Sequence, residues 1–202
     1  MIKNKEDKKL IVGLDIGTSK IVAIVAELQP DGLLNIIGLG QHSSKGLKKG
    51  VVINIDSTME SIQRAIEEAE LMANCKITDV YTGIAGSHIK SINSHGMVKI
   101  KDTEVSQLDV EKVIETACAI TLPNDQQVLH ILTQEYVIDG QEDVRQPLGM
   151  SGMKLEVKVH IVTGAIAAAQ NIVKCIKRCG LEVSELVLQP LASSMAVLTD
   201  DE

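Results

Sequence analysis

The sequence predicts an α/β fold in which a lobe with the element order βββαβαβα is interrupted by a small inserted α+β domain. Two observations near the N-terminus lead to this prediction. Short apolar runs separated by turn residues predict strands at 9–16, 21–28 and 33–40. An apolar stripe at helical spacing then predicts one helix, followed by a strand at 77–85. Strands followed by alternating helix and strand are typical of a sheet covered by helices.

Local turn and cap signals place the first elements. Pro30-Asp31-Gly32 is a strong turn signal, so the three predicted strands must form an antiparallel meander. Ser57 and Glu60 have the spacing of a capping box, which predicts that the helix begins at Ser57. The buried stripe of this helix is predicted to contain Met59, Ile62, Ile66, Ala69 and Ala73.

The middle of the chain combines short strands with one helix. Asn93-Ser-His-Gly96 is a turn signal and predicts a hairpin between strands at 89–92 and 97–100. Ser106 is predicted to cap a helix over 107–120. The remaining elements predicted here are a strand at 127–139, a loop at 140–152 and a strand at 153–163 with almost perfect apolar and polar alternation.

Helix and strand alternate again toward the C-terminus. A helix over 166–179 is predicted to end at Gly180, and a strand follows at 181–188. Pro190 suits the first turn of a helix that continues over 191–198. We therefore assign residues 1–85 and 164–202 to one domain and residues 86–163 to an inserted α+β domain.

The composition excludes several classes of function. The 202 residues are 45% hydrophobic but include no Phe, no Trp and only two Tyr, so the aromatic platforms that bind single-stranded nucleic acid are missing. The net charge of −7 also argues against a surface that follows phosphate backbones, and we expect no nucleic-acid partner. We interpret Lys45-Gly-Leu-Lys48-Lys49 as a solvated loop. No apolar run reaches the roughly 18 residues that a membrane-spanning helix needs.

The cysteines and histidines show no pattern typical of a metal site. Four irregularly spaced cysteines favour a reduced, cytoplasmic setting. Cys175 and Cys179 share a helix face, and we interpret them as small core residues rather than metal ligands. The histidines interpreted as exposed strand or turn residues rather than ligands are His88, His95, His130 and His160.

The segment Asp15-Ile-Gly-Thr-Ser-Lys20, between the first two predicted strands, carries the chemistry. It holds one acid, one glycine, two hydroxyls and one lysine. A tight turn of this composition can point backbone N–H groups at a phosphate and place a carboxylate where a hydrated Mg²⁺ ion would lie. The alternative is an ordinary hairpin in which Asp15 and Gly17 only shape the turn.

An ordered series of short motifs extends from this turn almost to the C-terminus. Its members are Gly13-Leu-Asp-Ile-Gly-Thr-Ser-Lys20, Ile36-Ile-Gly38, Ser44-Lys-Gly46, Gly50-Val-Val-Ile-Asn54, Ala65-Ile-Glu-Glu-Ala-Glu-Leu-Met72, Gly86-Ser-His-Ile89, Asn93-Ser-His-Gly96, Gln134-Glu-Tyr136, Pro147-Leu-Gly-Met-Ser-Gly152 and Leu191-Ala-Ser-Ser194. The series resembles the bacterial cell-division protein family FtsA, in the actin, Hsp70 and sugar-kinase superfamily. The resemblance implies an actin-like (RNase H-like) lobe, subdomain 1A, with the insert as subdomain 1C.

The resemblance also implies an ATP site. Asp15 would orient the waters around Mg²⁺ and is the implied metal residue. Gln189 would occupy the hinge position that faces the nucleophilic water or its metal, and the alternative is a polar residue that simply ends a strand. The other cofactor-binding residues that the resemblance implies are Gly17, Thr18, Ser19 and Lys20.

An adaptor role follows from the same resemblance. The intact protein would bind ATP, polymerise, link the tubulin-like division ring to the inner membrane from its cytoplasmic face, and use residues 86–163 for self-association and to recruit later division proteins. The sequence contains neither a second phosphate loop nor an amphipathic membrane helix. We therefore expect a fragment that lacks the second lobe, which would bind the tubulin-like protein. The intact protein would be at most a weak ATPase. The fragment would be non-catalytic and would bind ATP weakly or not at all, so we do not expect it to retain ATP and Mg²⁺.

Two other readings of the same residues remain open. An actin-like adaptor of the pilus-assembly type would share the fold and a comparable insert. The N-terminal half of a sugar or acetate kinase would share the lobe, but it would need a substrate cleft with a catalytic acid. The insert offers no such acid at a recognisable spacing.

Overall fold

The computed structural model describes residues 9–199, and the chain separates into two compact units. Among the described residues, the first unit contains 9–88 and 166–199, and the inserted unit is Ile89–Ala165. Both units combine helices with a sheet, so the predicted α/β class is confirmed.

The elements are numbered along the chain. The strands are β1 (Leu10–Ile16), β2 (Lys20–Leu28), β3 (Leu34–Ser43), β4 (Leu47–Lys48), β5 (Val51–Val52), β6 (Asp79–Ile84), β7 (Lys90–Lys99), β8 (Gln126–Ile138), β9 (Gln141–Val144), β10 (Lys154–Ala165) and β11 (Glu182–Leu188). The helices are α1 (Ile55–Ala73), α2 (Gln107–Cys118), α3 (Ile166–Arg178) and α4 (Gln189–Val197). Within residues 9–199 no helix has the length and apolar character needed to cross a bilayer.

A five-stranded sheet in the order β11-β6-β1-β2-β3 forms the centre of the first unit. The predicted antiparallel meander of β1, β2 and β3 is confirmed, whereas β6 pairs in parallel with β1 and β11 pairs in parallel with β6. Helix α1 packs on β2 and β3, and α3 packs on α1 and β11. The core is aliphatic and includes Leu14, Ile21, Ile62, Ile84 and Ile176.

Helix α1 begins at Ile55, before the start at Ser57 that the capping box predicted, so that prediction is wrong. The N-cap is Asn54, whose side-chain oxygen accepts from the Ser57 amide at 2.9 Å. The hydroxyls of Thr58 and Ser61 are buried within the helix and donate back to the carbonyls of Asn54 and Ser57. Asn54 is the N-cap rather than Ser57 because an asparagine side chain caps a helix as well as a serine does. A helix that starts after Asn54 is also longer by most of a turn than one that starts at Ser57.

The inserted unit contains a four-stranded antiparallel sheet in the order β7-β10-β8-β9. Helix α2 packs on β7 and β10. Alternate residues of β10 point into this interface, and Leu155, Val157, Val159 and Ile161 are fully or almost fully buried. Tyr136, on β8, is also part of this core, with 9% of its surface exposed.

The predicted hairpin at Asn93–Gly96 is wrong, because β7 runs through it as one continuous strand paired with β10. Gly96 lies opposite Val157 and under α2. A Cβ atom at Gly96 would collide with the carbonyl oxygen of Val113 and would lie 2.6 Å from the Ala117 nitrogen. The glycine therefore permits close packing of a helix on a strand. Its polar neighbours gave the segment the composition of a turn, which is why the sequence predicted a hairpin.

Two predicted loops contain short strands. The segment 140–152 was expected to be irregular, but it includes β9, which pairs with the end of β8. The basic loop between β3 and α1 includes the two-residue strands β4 and β5, which pair with each other. Strands this short carry no periodicity that a sequence could display.

The predicted cap of α2 is confirmed. The Asp109 amide donates to the Ser106 hydroxyl oxygen at 3.3 Å, and the Ser106 amide donates to the Asp109 carboxylate at 3.0 Å. The Ser106 hydroxyl also donates to the same carboxylate at 2.6 Å. These hydrogen bonds, the hydroxyl first, lower the pKa of Asp109 from its ordinary value of 3.8.

Replacing Ser106 by alanine is expected to lower the stability of the chain by about 1 kcal/mol at neutral pH, because the helix loses its cap. The lowered pKa of Asp109 means that its interaction with Ser106 stabilises the fold above pH 3.8 and is lost as the pH falls through the lowered pKa. The loss caused by Ser106→Ala should therefore shrink in acid. Urea unfolding followed by circular dichroism at neutral and acidic pH measures it. The exposed Ser91→Ala variant serves as the control, and an equal loss at both pH values would contradict the expectation.

Candidate functional site

The carboxyl ends of β1, β6 and β11 lie side by side, and we call this side of the first unit's sheet the carboxyl edge. Parallel pairing aligns Leu14 with Thr82, and Gly83 and Ile84 with Val187 and Leu188. The loops that follow the three strands therefore meet at one place. In open α/β sheets this is where ligands bind.

The turn after β1 is closed by its own backbone. The Gly17 amide donates to the Lys20 carbonyl oxygen at 3.0 Å. A Cβ atom on Gly17 would lie 2.8 Å from that oxygen, so the tight turn itself requires glycine. Thr18 and Ser19 are exposed at the tip, and within residues 9–199 their amides have no acceptor. The donors available to a ligand are therefore those of Thr18 and Ser19, whereas the Gly17 amide is already engaged.

Asp15 and Gln189 are brought together at the carboxyl edge. The Gln189 side-chain amide donates to an Asp15 carboxylate oxygen at 2.5 Å. Asp15 as a residue is exposed, yet burial of its carboxylate by neighbouring atoms raises its pKa above the ordinary 3.8, and the positive charge of Lys20 offsets part of this rise. Asp15 and Lys20 thus lie within electrostatic reach of each other on the same side of the turn.

Gly83 makes room for this contact and was missed from the sequence. A Cβ atom on Gly83 would lie 2.5 Å from the Gln189 Cγ atom and 3.1 Å from its Nε2 atom. The bare strand therefore lets the Gln189 side chain reach across β6 to Asp15. The neighbouring Thr82 is buried, and its hydroxyl donates to the Leu14 carbonyl oxygen at 3.1 Å, which fastens β6 to β1.

A cavity of about 440 Å³ opens beside this pair. Asp15 and Gln189 supply polar groups to its lining, and most of the remaining lining is apolar. Tyr81 is one of the residues that line this cavity, and 42% of its surface is exposed. The other lining residues from the strands and α4 include Val22, Ile24, Val187, Ala192 and Ala196.

The loop between β3 and α1 is tied to the same turn. The Ser44 amide donates to the Ser19 carbonyl oxygen at 3.0 Å, and the Gly50 amide donates to the Thr18 hydroxyl oxygen at 3.2 Å. Neither contact was predicted, because neither residue pair is close in sequence. The lysines at 45, 48 and 49 are exposed, as expected of a solvated segment.

The cysteines of α3 lie against α1. The Cys175 thiol is buried and lies 4.0 Å from the Ile55 carbonyl oxygen, and the Cys179 thiol lies 3.6 Å from that of Met59. Burial, with a smaller contribution from Cys179, raises the pKa of Cys175 to about 11. Such a thiol stays protonated and unreactive near neutral pH. Within residues 9–199 no three His, Cys, Asp or Glu side chains are grouped in a way that could hold a metal ion.

Two of the scattered histidines have hydrogen-bond partners in the inserted sheet. His95 lies 2.7 Å from the Glu156 carboxylate, and His160 Nδ1 lies 2.6 Å from the Asn93 side-chain oxygen. Glu156 also pairs with Lys154, and these contacts lower the pKa of Glu156, with the hydrogen bond from Lys154 as the largest cause. The polar side of this sheet is thus a network of surface ion pairs and hydrogen bonds.

Comparison with solved structures identifies the fold. The chain aligns with the PilM–PilN type IV pilus biogenesis complex with a TM-score of 0.61 and 17% identity, over 92% of this chain and 49% of that chain. It aligns with the ethanolamine utilization protein EutJ from Carboxydothermus hydrogenoformans with a TM-score of 0.50 and 13% identity, over 98% of this chain and 43% of that chain. At these identities the likeness shows the fold alone, which is the actin-like ATPase fold.

Sequence comparison identifies the family. Residues 86–163 match the model of the SHS2 domain inserted in FTSA. Over 96% of this chain, the sequence is 60% identical to cell division protein FtsA of Pseudomonas aeruginosa. Over 97% of this chain, it is 48% identical to cell division protein FtsA of Escherichia coli K12. These alignments cover 46% and 47% of the two relatives, so the chain spans about half the length of the curated relatives it matches. By its overall identity and its inserted domain, the chain belongs to the FtsA family of cell-division proteins.

Proposed function

We propose that the carboxyl edge of the first unit forms one side of an ATP site. The observation that carries this proposal is the turn at residues 17–19. Its tip exposes the amides of Thr18 and Ser19 without acceptors within residues 9–199, and the Asp15 carboxylate lies at the end of the preceding strand. Unpaired amides on a tight turn form an anion-binding concavity.

The residues present suit a polyphosphate accompanied by Mg²⁺. Thr18 and Ser19 can donate from both N–H and O–H groups, and Lys20 supplies positive charge. Asp15 can accept hydrogen bonds from metal-bound waters, since Mg²⁺ keeps several waters and uses few protein carboxylates. When bound, the ion would neutralise phosphate charge. Gly17 contributes through the tightness of the turn, because its own amide donates to Lys20.

We assign Gln189 a positioning role in this site. Its side-chain amide holds the Asp15 carboxylate, and Gly83 provides the space for that contact. A side chain that bridges the ends of β1 and β11 can also place a water molecule next to the phosphates. Hydrolysis by positioning and charge stabilisation needs groups around the whole phosphate chain. The residues of this chain therefore favour weak binding of nucleotide without measurable turnover.

For the whole protein we propose the role of an actin-like adaptor in cell division. ATP binding would support polymerisation, and the protein would link the tubulin-like division ring to the cytoplasmic face of the inner membrane. The inserted unit would mediate self-association and recruit later division proteins. Family membership supports this proposal, because curated relatives at 60% and 48% identity are named cell division proteins.

The pilus-assembly alternative is weaker on the same comparisons. The pilus biogenesis complex shares the fold at 17% identity, and fold alone does not carry function. The family model that matches residues 86–163 is the one inserted in FTSA.

Titration of the isotopically labelled chain with tripolyphosphate and Mg²⁺ at millimolar concentration tests the phosphate site. We expect the amide resonances of Thr18 and Ser19 to shift most in NMR spectra. Replacing Asp15 by asparagine should weaken the Mg²⁺-dependent part of the binding about tenfold, because a charged acceptor is lost. Asp31→Asn, in the other hairpin turn of the meander, is the matched control. Shifts confined to other parts of the chain would refute the site.

The pKa of Asp15 gives a second test. Lys20→Gln should raise this pKa further, because the positive charge that partly offsets the effect of burial is removed. Mg²⁺-dependent binding requires the ionised carboxylate, so it should be lost at a higher pH in this variant than in the parent chain. The Asp15 carboxyl carbon and the Gln189 side-chain amide report the titration by NMR. Lys9→Gln, just before β1, should leave the pKa unchanged.

The adaptor role is tested on the full-length gene product. With ATP and vesicles of bacterial anionic lipids, electron microscopy should show filaments on the membrane, and Thr18→Val should reduce them. Transfer of phosphate from ATP to a panel of sugars, without filaments, would instead support the kinase reading.

A further inference from the structure

The segment Leu47–Val52, which we call the basic hairpin, has an unusual turn. Lys48 pairs with Val51, so Lys49 and Gly50 are the two central residues. Both have positive φ, +52° for Lys49 and +78° for Gly50. Two-residue turns of this kind favour Asn-Gly, because the left-handed conformation is unfavourable for a side chain such as that of lysine. Lys49 therefore holds a backbone conformation that its side chain does not favour.

Packing places this tip at the carboxyl edge. A Cβ atom on Gly50 would collide with the carbonyl oxygen of Ala85, just after β6, and a Cβ atom on Gly86 would lie 2.9 Å from the Lys49 carbonyl oxygen. On its other side, the Gly50 amide reaches the Thr18 hydroxyl. The tip therefore lies between the end of β6 and the turn that follows β1.

The contact with Gly50 also orients the Thr18 hydroxyl. Its oxygen accepts from the Gly50 amide at 3.2 Å, so the hydroxyl proton must point elsewhere and is available to donate. Ser44, whose amide anchors the start of the loop on Ser19, has a buried hydroxyl with no partner within residues 9–199. An unpaired buried hydroxyl beside the turn is a further potential donor.

The loop between β3 and α1 carries three lysines close to this turn. Lys45, Lys48 and Lys49 are exposed and form no ion pair within residues 9–199. The chain as a whole carries a net charge of −7, so this local concentration of positive charge is opposite in sign to the rest. A charge pattern of that kind attracts anions to one place on the surface.

We propose that the basic hairpin is a component of the phosphate site. Gly50 fixes Thr18 as a hydroxyl donor, and Lys48 and Lys49 add the positive charge that draws a polyphosphate chain to the turn. This inference rests on the proposed function, because it takes the turn at residues 17–19 as the place where the anion lies. It adds residues that the resemblance to the family did not implicate.

The test measures the binding of inorganic tripolyphosphate to the 202-residue chain at low ionic strength, by calorimetry and by NMR. We expect Lys49→Gln to weaken binding about threefold and the double variant Lys48→Gln/Lys49→Gln up to about tenfold, since each exposed charge contributes modestly. The affinity of the double variant should also depend less on salt. Lys174→Gln, on α3, removes one exposed positive charge from the same unit and should leave the affinity unchanged.

Thr18→Val separates this inference from the proposed function. If Thr18→Val weakens binding and the hairpin variants bind like the parent chain, the phosphate site stands and the role of the hairpin is overturned. If Lys174→Gln weakens binding as much as Lys49→Gln does, the attraction is a property of total charge, which also overturns it. If the parent chain does not bind tripolyphosphate at all, both proposals fail.

Discussion

The parallel alignment of β1, β6 and β11 is the constraint on which the candidate site depends. Strands that run in the same direction end at the same edge, so three loops that are distant in sequence meet there. Asp15 and Gln189 come within hydrogen-bond distance for this reason. The buried Thr82 hydroxyl holds β6 to the carbonyl of Leu14 one residue before Asp15, so a contact in the core fixes the position of a carboxylate at the surface.

The tight turn after β1 divides its hydrogen-bonding groups between structure and ligand. Gly17 closes the turn through Lys20, and the carbonyl of Ser19 accepts from Ser44. The amides of Thr18 and Ser19 remain at the tip without acceptors within residues 9–199. In an ordinary surface loop, both the donors and the acceptors of the backbone bind water. In this turn, some of the carbonyl oxygens already accept hydrogen bonds from neighbouring amides. The resulting bias toward donors is what an anion requires.

Local signals allowed the meander, the N-cap of α2 and the helix opened by Pro190 to be predicted, because each depends on residues a few positions apart. Several predictions failed for identifiable reasons. Asn93–Gly96 has the composition of a turn, but the lack of a side chain at Gly96 is what allows α2 to pack closely on β7. Ser57 has capping-box spacing, but Asn54 caps first. Strand β9 is too short to show alternation.

At the candidate site, Asp15 and the turn could be identified from the sequence. The roles of Gly83 and Gly50 could not be predicted, because they depend on contacts with segments that are distant in sequence.

The aliphatic core has a practical consequence for spectroscopy. The chain has no tryptophan, and its two tyrosines are divided between the units: Tyr81 lies half-exposed in the cavity wall of the first unit, and Tyr136 is buried in the core of the inserted unit. Intrinsic ultraviolet emission therefore comes from one fluorophore in each unit. A small quencher such as acrylamide reaches the exposed ring far more readily than the buried one. Substituting either ring by leucine would leave a chain whose emission reports on a single unit, without any attached dye.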